Sequence, residues 1–488
     1  MIYPTKKSRI QFQNQLRNSI DFQNRQITIL GCGCMGRLLL YWCHAIFKGA
    51  QITIIDKQKK RLLFPKQFFK SVHTKQITIT KKNYKNVLNF LQKGDILIDA
   101  SYDIRTLDMF HFCNERQLLY INSAIESWSF QNETNPLHYS LYYRNNELIQ
   151  KAKQICHPKT NFIVTMGCNP GNVSLWLKYG ILHLAKQKHI PITSDFAQIS
   201  EQLGIQTIHI SEHDSQIIDT PRRQGEYCNT WSWDPASFFQ EACGPIELSW
   251  GTHETKLPEL PIHSPTSQNR TCIYPKMGIQ NWLRSYTPET GMFYGMTIRH
   301  DENLTIGDYL AVRNSKNQIT YQPSVYYVYK PTDACLESAR EYIEQGGYDF
   351  GEHKRLLASE IVQGSDELGL SIFLKNGDVY WIGSLLTIEE ARSYHPKWMH
   401  PFVNATNVQV LGGYLTGLFY LCDLWKMGVS QGLMFPEQIP LHYLSISLAF
   451  QGEFVFQKAK WQSEQLGNKF NSKVKQHNWQ YNSFFMNK

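Results

Sequence analysis

Apolar residues near the start of the chain alternate between short strand-like runs and a longer helical stretch. The run ITIL at residues 27–30 leads into a glycine-rich loop and the apolar segment RLLLYWCHAIF, and a second run, QITIIDK, occupies residues 51–57. This is a strand–helix–strand unit of about thirty residues, the minimum for two parallel strands joined by a right-handed crossover. The pattern therefore predicts the beginning of a parallel sheet.

More strand-like runs follow, with helix-like segments between several of them. They lie at residues 76–80, 95–100, 118–124 and 161–167. Alternating strands and helices indicate a doubly wound α/β sheet of the Rossmann type, which we place at residues 26–168. Residues 1–25, rich in Gln, Asn and Arg, are expected to form an N-terminal arm or a short helix.

Beyond this domain the pattern changes. Residues 190–335 contain longer strand-like runs, among them FAQIS, TIHIS and SVYYVY, together with aromatic-rich loops. A Lys-Asn-Gly-Asp turn at residues 375–378 predicts a hairpin over residues 368–385. These features predict an α+β domain at residues 169–385, followed by a mainly helical segment at residues 386–488.

Composition indicates an ordinary globular protein. The 488 residues are 42% hydrophobic and 19% charged, and the net charge of +9 is spread along the chain, which does not suggest a nucleic-acid partner. The N-terminus lacks the apolar core of a signal peptide, and no run reaches about 18 uninterrupted apolar residues. The most apolar stretch, Val408 to Trp425, contains Asp423 and two adjacent glycines, so we expect a buried helix there, no membrane span and a cytoplasmic location.

The spacing of cysteines and histidines gives no metal site. The eleven cysteines include no Cys-x-x-Cys pair, and we expect reduced thiols packed as small hydrophobic residues. His209 and His213 lie in the strand-like TIHISEHD, where ordinary structural histidines are the better interpretation.

Gly31, Gly33 and Gly36 form a GxGxxG loop between the first strand and the following helix. In a dinucleotide site the first glycine allows the turn, the second lets the backbone approach the pyrophosphate, and the third lets helix and strand pack closely. The free N–H groups of the helix N-terminus then face the phosphates. The alternative is that the glycines form only a tight turn.

Asp56 ends the second strand, 25 residues after Gly31. A carboxylate there accepts hydrogen bonds from both ribose hydroxyls and repels a 2′-phosphate, which favours NAD over NADP. The residues that directly follow work against this preference, because they are basic: Lys57, Lys59, Lys60 and Arg61.

A turn at Asn169-Pro170-Gly171 separates the strand FIVTM from a helix predicted to begin near Asn172. Such a turn lies beside the other strand ends, where the nicotinamide is expected. Further along, the segments SEHDSQ, NTWSWDPASFFQEAC and RHDENLTIGDYL each place acids among polar or aromatic neighbours in otherwise apolar surroundings.

Several long motifs, in order, resemble the bacterial NAD-dependent homospermidine synthases. They are GCNPGNVS (167–174), NTWS (229–232), SWGTHE (249–254), RHDEN (299–303), PSVYYVYKP (323–331), SEIVQGSDELG (359–369) and NATNVQV (404–410). The resemblance extends from about residue 26 to the C-terminal helices. It implies a homodimer whose second domain carries the substrate residues and the subunit interface, with the C-terminal segment packed back on the Rossmann domain.

The resemblance also implies a reaction. Bound NAD+ takes a hydride from putrescine, ammonia leaves, a second putrescine forms a Schiff base, and NADH reduces it to homospermidine. Spermidine also serves as aminobutyl donor, with loss of 1,3-diaminopropane. The cofactor is recycled, because the net redox change is zero.

By the same resemblance, Glu212, Glu241 and Glu302 bind substrate ammonium groups and Trp231 supplies a cation–π contact. Trp233 shares the face of Trp231 in an extended segment and is an alternative, and a longer loop before Glu241 could shift that assignment.

Two further positions complete the expected site. Asn169 is expected beside the nicotinamide and the reacting amine, and Asp103 is a further substrate candidate, with Asp99 as its alternative. The expected NAD contacts are Gly31, Gly33, Cys34, Met35, Gly36, Asp56, Ser101, Asn122, Asn169 and Pro170.

Two other functions remain open. A saccharopine-dehydrogenase-like or carboxynorspermidine-type reductase would consume NAD(P)H and would need arginines for its carboxylate substrates, a role open to Arg222 and Arg223. A non-enzymatic NAD sensor would need the cofactor site without the acidic motifs.

Overall fold

The chain is described in two compact units. A computed structural model covers residues 5–128, 136–229, 235–257, 260–347, 354–356, 358–461 and 479–485. The first unit contains residues 5–172 and 389–452. The second contains residues 173–229, 235–388 and 453–485, with the gaps given above.

The α-helices of the described residues are α1 (Lys6–Leu16), α2 (Cys34–Ile46), α3 (Leu63–Phe68), α4 (Tyr84–Val87), α5 (Thr106–Arg116), α6 (Leu141–Lys153), α7 (Asn172–Gln187), α8 (Phe196–Leu203), α9 (Pro235–Ala242), α10 (Asp301–Tyr309), α11 (Asp333–Glu344), α12 (Ile388–Ser393), α13 (Ala405–Lys426) and α14 (Leu444–Leu448). Short 3₁₀ turns occur at Pro136–Tyr139, Gly278–Gln280, Lys397–Phe402, Pro436–Gln438, Leu441–Tyr443 and Tyr481–Phe484.

The strands are β1 (Ile20–Asp21), β2 (Gln26–Leu30), β3 (Phe47–Lys48), β4 (Gln51–Asp56), β5 (His73–Gln76), β6 (Ile96–Asp99), β7 (Leu119–Asn122), β8 (Asn161–Ile163), β9 (Ile205–Asp214), β10 (Ile217–Ile218), β11 (Tyr227–Asn229), β12 (Pro245–Ser249), β13 (Thr271–Met277), β14 (Trp282–Thr287), β15 (Gly291–Ile298), β16 (Val312–Arg313), β17 (Ile319–Tyr321), β18 (Ser324–Lys330), β19 (Lys354–Leu356), β20 (Ile361–Gln363), β21 (Ser365–Leu374), β22 (Val379–Thr387), β23 (Gly432–Met434) and β24 (Glu453–Lys458).

The first unit is built on a parallel sheet with the strand order β23-β8-β7-β6-β2-β4-β5. The chain runs outward from β2 through β4 and β5 on one side, and through β6, β7 and β8 on the other. The strand order therefore reverses at β2, and in doubly wound sheets nucleotides bind in the crevice at the carboxyl ends beside such a point. The predicted Rossmann-type α/β fold is confirmed.

The central strands of this sheet are buried on both faces, as expected for a parallel sheet that is covered on both sides. In β2, Ile27 and Ile29 on one face and Thr28 on the other are all fully buried. The strand predicted at residues 76–80 is displaced, because β5 covers His73–Gln76 and shares only Gln76 with the prediction, and all its residues are polar and at least partly exposed. It pairs with β4 on one side only, so tertiary pairing rather than apolar periodicity determines where it begins.

Helix α13 is a buried helix of the first unit, as the sequence predicts. It packs against α2, α14, β7 and β8, and a capping box between Asn404 and Asn407 fixes its N-terminus. A Cβ on Gly413 would lie 1.8 Å from the carbonyl oxygen of Gly167, so the helix requires glycine to come this close. Among the described residues, no helix has the length and apolarity needed to cross a membrane.

The second unit contains a mixed sheet with the order β13-β12-β18-β9-β21-β22-β24, to which the β14–β15 hairpin is joined through β18. The central strands β9 and β18 are parallel, whereas β21 pairs antiparallel with both β9 and β22. The β21–β22 hairpin confirms the turn predicted at residues 375–378. This unit is the α+β part of the chain.

The run FAQIS, interpreted as strand-like from its sequence, is the beginning of helix α8 instead. Asp195 caps the helix by accepting a hydrogen bond from the backbone N–H of Gln198, and Gly204 ends it in the left-handed conformation. An N-cap carboxylate and a C-terminal glycine are strong helix boundaries, and here they outweigh the strand-like alternation of five residues.

The described residues of the C-terminal segment are mainly helical, as expected, but they also contain two strands. β23 joins the sheet of the first unit beside β8, and β24 joins the sheet of the second unit beside β22. Both are edge strands whose partners lie far away in the sequence. Local periodicity does not indicate such pairings, so the prediction of a mainly helical segment did not include these two strands.

Candidate functional site

The loop between β2 and α2 has three glycines with three different environments. Gly31 has a left-handed φ of +92°, and a Cβ there would lie 2.5 Å from the carbonyl oxygen of Ala100. A Cβ on Gly36 would lie 2.0 Å from the carbonyl oxygen of Gly31. A Cβ on Gly33, in contrast, would meet nothing within 4 Å. The first and third glycines are therefore needed by the fold, and the second leaves open space.

That open space lies at the N-terminus of α2. The helix begins with Cys34 and Met35, and its N-cap Gly33 has no side chain with which to satisfy the N–H groups of the first turn. Free N–H groups together with the positive end of the helix dipole form a binding site for phosphate. The residues present thus fit the pyrophosphate of a dinucleotide.

Asp56 ends β4 beside this loop and braces it. Its Oδ2 accepts a hydrogen bond from the backbone N–H of Cys32 at 2.7 Å, and its Oδ1 accepts one from the N–H of Gln58 at 2.7 Å. Arg61 approaches the same carboxylate, with Nη1 3.7 Å from Oδ2. A carboxylate has about four lone-pair positions, so Asp56 keeps acceptor capacity for ribose hydroxyls.

Asp99 and Asp103, the two alternatives near the end of β6, have different environments. Asp99 is buried, and its carboxylate accepts hydrogen bonds from the N–H and hydroxyl of Ser101 and from the hydroxyl of Tyr120. Burial raises the pKa of Asp99. Asp103 is only half-buried and has a left-handed φ of +67°. Of the two, Asp103 is the more exposed residue, while Asp99 and Ser101 form an internal network.

Asn122, at the end of β7, is also part of a buried network. Its amide nitrogen donates to the hydroxyls of Tyr120 at 3.1 Å and Thr106 at 3.3 Å, and its oxygen accepts from the backbone N–H of Thr165 at 3.1 Å. The side chain therefore ties the end of β7 to the chain that follows β8. A cofactor contact from this residue would have to use what remains of its hydrogen-bonding capacity.

The turn after β8 carries Asn169 and Pro170, joined by a cis peptide bond, and it is tightly built. The backbone N–H of Gly167 donates to the carbonyl of Pro170 at 2.8 Å. Gly171 has a φ of +134°, and a Cβ there would lie 2.0 Å from the carbonyl oxygen of Gly167. Asn169 is half-buried, so a side chain predicted to contact cofactor and substrate is held on a rigid turn at the carboxyl edge of the sheet.

The structure thus brings the predicted cofactor residues of the first unit to one edge. They follow the carboxyl ends of neighbouring parallel strands, which is where a Rossmann sheet binds its nucleotide.

In the second unit, two of the predicted acids flank one histidine. His300 precedes α10, and its Nδ1 lies 2.8 Å from Oε2 and 2.9 Å from Oε1 of Glu302 in the first turn of that helix. Its Nε2 lies 3.9 Å from Oε2 of Glu241, which α9 supplies. Glu302 is fully buried, whereas the side chain of Glu241 retains 27% exposure. Glu302 also benefits from its place at the positive end of the helix dipole.

Tyr327 extends this arrangement to the third predicted acid. Its ring centroid lies 4.9 Å from that of His300, and its hydroxyl donates a short hydrogen bond to Oε2 of Glu212. Glu212 lies in β9 and Tyr327 in β18, which pair in parallel at the centre of the sheet. We call Glu212, Glu241, His300, Glu302 and Tyr327 the acidic cluster.

The carboxylates determine the charge of His300. Burial alone would lower its pKa, but Glu302, followed by Glu241 and Asp301, outweighs burial and raises the pKa of His300 to about 9. The imidazole is therefore protonated at neutral pH. When its three carboxylates are ionised, the acidic cluster still has two negative charges in excess, which suits a substrate with two ammonium groups.

Sequence reasoning assigned no role to His300 or Tyr327, although both lie in motifs that it singled out, RHDEN and PSVYYVYKP. The histidine two residues before an acid at a helix start was the available signal. Trp231 and Trp233 lie outside the described residues. In the part of the chain that the structure describes, no group of three or more His, Cys, Asp or Glu side chains could hold a metal ion.

Arg222, the arginine on which the reductase alternative depended, is already engaged. Its Nη1 lies 2.5 Å from Oε2 of Glu341, and its Nε lies 3.7 Å from Glu337, both on α11. It also donates to the carbonyl of Glu226. The guanidinium fastens the 219–226 loop to α11, while Arg223 is exposed.

Comparisons with known proteins agree with this geometry. Residues 27–156 match the family described as saccharopine dehydrogenase NADP binding domain. The homospermidine synthase of Mesorhizobium japonicum is 29% identical over 419 residues, covering 83% of this chain and 84% of the relative. That of Blastochloris viridis is 29% identical over 417 residues, covering 83% and 85%.

A solved structure is also similar. The crystal structure of the homospermidine synthase of Legionella pneumophila, in complex with NAD, has a TM-score of 0.84 and 29% identity, and the match covers 96% of this chain and 99% of that one. The resemblance found in the motifs is therefore confirmed, and this chain is an enzyme homologous to the homospermidine synthases.

Proposed function

We propose that the protein makes homospermidine from two molecules of putrescine, or from spermidine and putrescine, with NAD as a hydride carrier regenerated in each turnover. The observation that carries the proposal is the acidic cluster. Glu212 and Glu302 are 1% and 0% exposed, and such carboxylates are costly to bury unless they bind cations. Alkyl diammonium substrates would supply both the charge and the apolar spacer.

The proposed reaction balances without an external oxidant or reductant. Bound NAD accepts a hydride from the carbon that carries one amino group of putrescine and later returns it. Loss of that hydride leaves an imine, to which the amine of a second putrescine adds. Ammonia leaves, a Schiff base remains, and the returned hydride converts it to the secondary amine of homospermidine. With spermidine as donor, the leaving amine is 1,3-diaminopropane.

We assign the protein groups as follows. Glu212, Glu241 and Glu302 hold the ammonium groups, and His300 exchanges protons with the reacting amine, because a pKa of about 9 lies near that of an alkylamine. Trp231 and Asp103 keep the cation–π and substrate-binding roles that the resemblance implies. Asn169 is proposed to orient both the nicotinamide and the amine.

In the first unit, NAD is proposed to bind along the carboxyl edge of the sheet. The open space beside Gly33 and the N-terminus of α2 would receive the pyrophosphate, and Asp56 would receive the ribose hydroxyls. The other proposed contacts are Gly31, Cys34, Met35, Gly36, Ser101, Asn122, Asn169 and Pro170.

We further propose that the protein acts as a cytoplasmic homodimer. The two-stranded β10–β20 sheet of the second unit exposes two apolar residues, Ile217 and Val362, each 49% exposed. Light scattering coupled to size-exclusion chromatography would give the oligomeric state, and a charged substitution at Val362 should weaken a dimer that uses this surface.

A redox-neutral turnover assay tests the activity. Purified protein is incubated with putrescine and substoichiometric NAD+, and homospermidine and ammonia are quantified. Many product molecules per NAD+ are expected. Glu302→Gln should lower kcat/KM by about 100-fold, because it removes a fully buried charge beside His300, and Glu241→Gln by about 10-fold, because Glu241 is farther away and partly exposed. Glu344→Gln, an exposed acid of the same unit, is the matched control.

The same assay distinguishes the other functions. Consumption of one NADH for each product, with an amino acid and an aldehyde as substrates, would contradict the synthase and support a reductase. Binding of NAD without any turnover of amines would support a sensor.

A further inference from the structure

The basic residues that follow Asp56 are not used by the proposed reaction, and one of them is fixed at the edge of the cofactor site. The carbonyl oxygen of Arg61 accepts a hydrogen bond from Sγ of Cys32 at 3.3 Å and another from Arg37 at 3.5 Å. Cys32 belongs to the glycine loop and Arg37 to α2. The backbone of Arg61 is therefore attached to the two elements that form the phosphate site.

Arg37 is itself held in place. Its guanidinium lies over the ring of Phe402 at 4.3 Å and over that of Phe64 at 5.3 Å, so it forms a fixed support for the Arg61 carbonyl. The backbone of Arg61 is therefore held by packed neighbours, which places its side chain at the end of β4.

The guanidinium of Arg61 is directed to Asp56. Its Nη1 lies 3.7 Å from Oδ2, and its side chain is 34% exposed against 4% for the carboxylate. At this distance Asp56 neutralises the local field of Arg61, while Lys57, Lys59 and Lys60 remain exposed nearby. An arginine in this region is what accommodates the 2′-phosphate in NADP-binding Rossmann domains.

We propose that Arg61 is a 2′-phosphate ligand held inactive by Asp56, so that this one carboxylate makes the site selective for NAD over NADP. The proposal rests on the NAD site of the proposed function and names the pair of residues that determines its selectivity. With Asp56 ionised, a 2′-phosphate would meet a buried negative charge and an arginine that is already paired. Without that charge, the guanidinium of Arg61 would be able to donate two parallel hydrogen bonds to the phosphate.

Binding of NAD+, NADP+ and 2′,5′-ADP is to be measured by isothermal titration calorimetry, independently of turnover. Asp56→Ser should bind NADP+ and 2′,5′-ADP at least 10-fold more tightly than the unchanged protein, and NAD+ at least 10-fold more weakly. Adding Arg61→Gln to this variant should abolish the gain. Adding Lys60→Gln instead should leave most of it, which makes that double variant the matched control.

Asp56→Asn is the second variant, in case serine disturbs the glycine loop, because its amide oxygen can still accept a hydrogen bond from the N–H of Cys32. Thermal unfolding checks each variant. The proposal is overturned if both Asp56 variants bind 2′,5′-ADP no better than the unchanged protein, or if Arg61→Gln leaves the gain intact. Failure of the synthase proposal would give a different result, because the unchanged protein would then bind NAD+ but form no homospermidine. Binding of neither dinucleotide by the unchanged protein would overturn both proposals.

Discussion

His300 and Glu302 form a buried charge pair, with Nδ1 of the imidazole 2.8 Å from Oε2 of the carboxylate. They are two residues apart, at the point where β15 has ended and α10 begins. Glu302 is held in the first turn of the helix. His300 is the N-cap residue with an extended backbone, and its imidazole is directed to the carboxylate of Glu302. The pair is therefore a local product of a helix N-terminus, although the charge of His300 depends also on Glu241 from α9, since burial alone would lower the pKa of the imidazole.

The first prediction concerns stability and pH. The pKa of His300 is raised from 6.5 to about 9 in the folded protein. Its stabilising contribution is thus fully present below pH 6.5 and is lost as pH rises through about 9. At about 1.4 kcal/mol per unit, the contribution is roughly 3 kcal/mol. Urea unfolding should show this loss between pH 6.5 and 9.5 in the unchanged protein and not in His300→Gln. Equal pH slopes for the two proteins would contradict the assignment.

The second prediction concerns Tyr327→Phe. This change removes the hydroxyl that donates to Glu212, a carboxylate that is 1% exposed, and leaves the ring in place. Loss of a hydrogen bond to a buried charged group costs about 1–3 kcal/mol, so the midpoint of thermal unfolding should fall. Saturating putrescine should restore part of that loss if its ammonium group binds Glu212.

A matched substitution serves as the control for Tyr327→Phe. Tyr326→Phe alters the neighbouring tyrosine on the opposite face of β18, where its ring packs against His209 and Tyr481. It should change stability without changing how putrescine stabilises the protein. If putrescine stabilises the unchanged protein and both variants by the same amount, Glu212 is not an ammonium ligand.

The third prediction separates the roles of two glycines. Gly36→Ala places a Cβ 2.0 Å from the carbonyl oxygen of Gly31, so it should destabilise the first unit and lower the amount of folded protein. Gly33→Ala meets no atom within 4 Å and should leave the unfolding midpoint within about 2 °C. The same alanine occupies the space proposed for the pyrophosphate, so NAD+ affinity should fall at least 10-fold by calorimetry. Unchanged NAD+ affinity in Gly33→Ala would place the cofactor elsewhere.

The first unit was predicted well because the patterns that indicate it lie close together in the sequence. The glycine loop, the strand before it and Asp56 lie within about thirty residues, and each contributes a recognisable pattern. The central parallel strands are also short, mainly apolar runs. The edge strands β5 and β23 were placed less well or missed, because an edge strand is defined by its partner more than by its own periodicity.

The candidate site in the second unit was predicted only in part. Glu212, Glu241 and Glu302 could be named from motifs, but the motifs do not say that one histidine lies between two of the acids. That relationship needs α9 and α10 to meet, and the link from Tyr327 to Glu212 needs β18 to pair with β9. Glu241 and His300 are 59 positions apart in the sequence, and Glu212 and Tyr327 are 115 positions apart, so nothing in the local pattern indicates these two contacts.

The last prediction tests whether Arg222 is structural. Its ion pairs with Glu341 and Glu337 hold the 219–226 loop on α11, and the side chain of Glu341 is only 10% exposed. Arg222→Gln should therefore lower the unfolding midpoint by several degrees, since the loss of a partly buried pair leaves Glu341 without its main charge partner. The KM for putrescine should change less than twofold, because the guanidinium is already occupied within the protein. A reductase that binds a carboxylate substrate through this arginine would instead lose affinity for that substrate at least 100-fold with its fold intact, so the unfolding midpoint and the KM, measured on the same preparation, decide between the two.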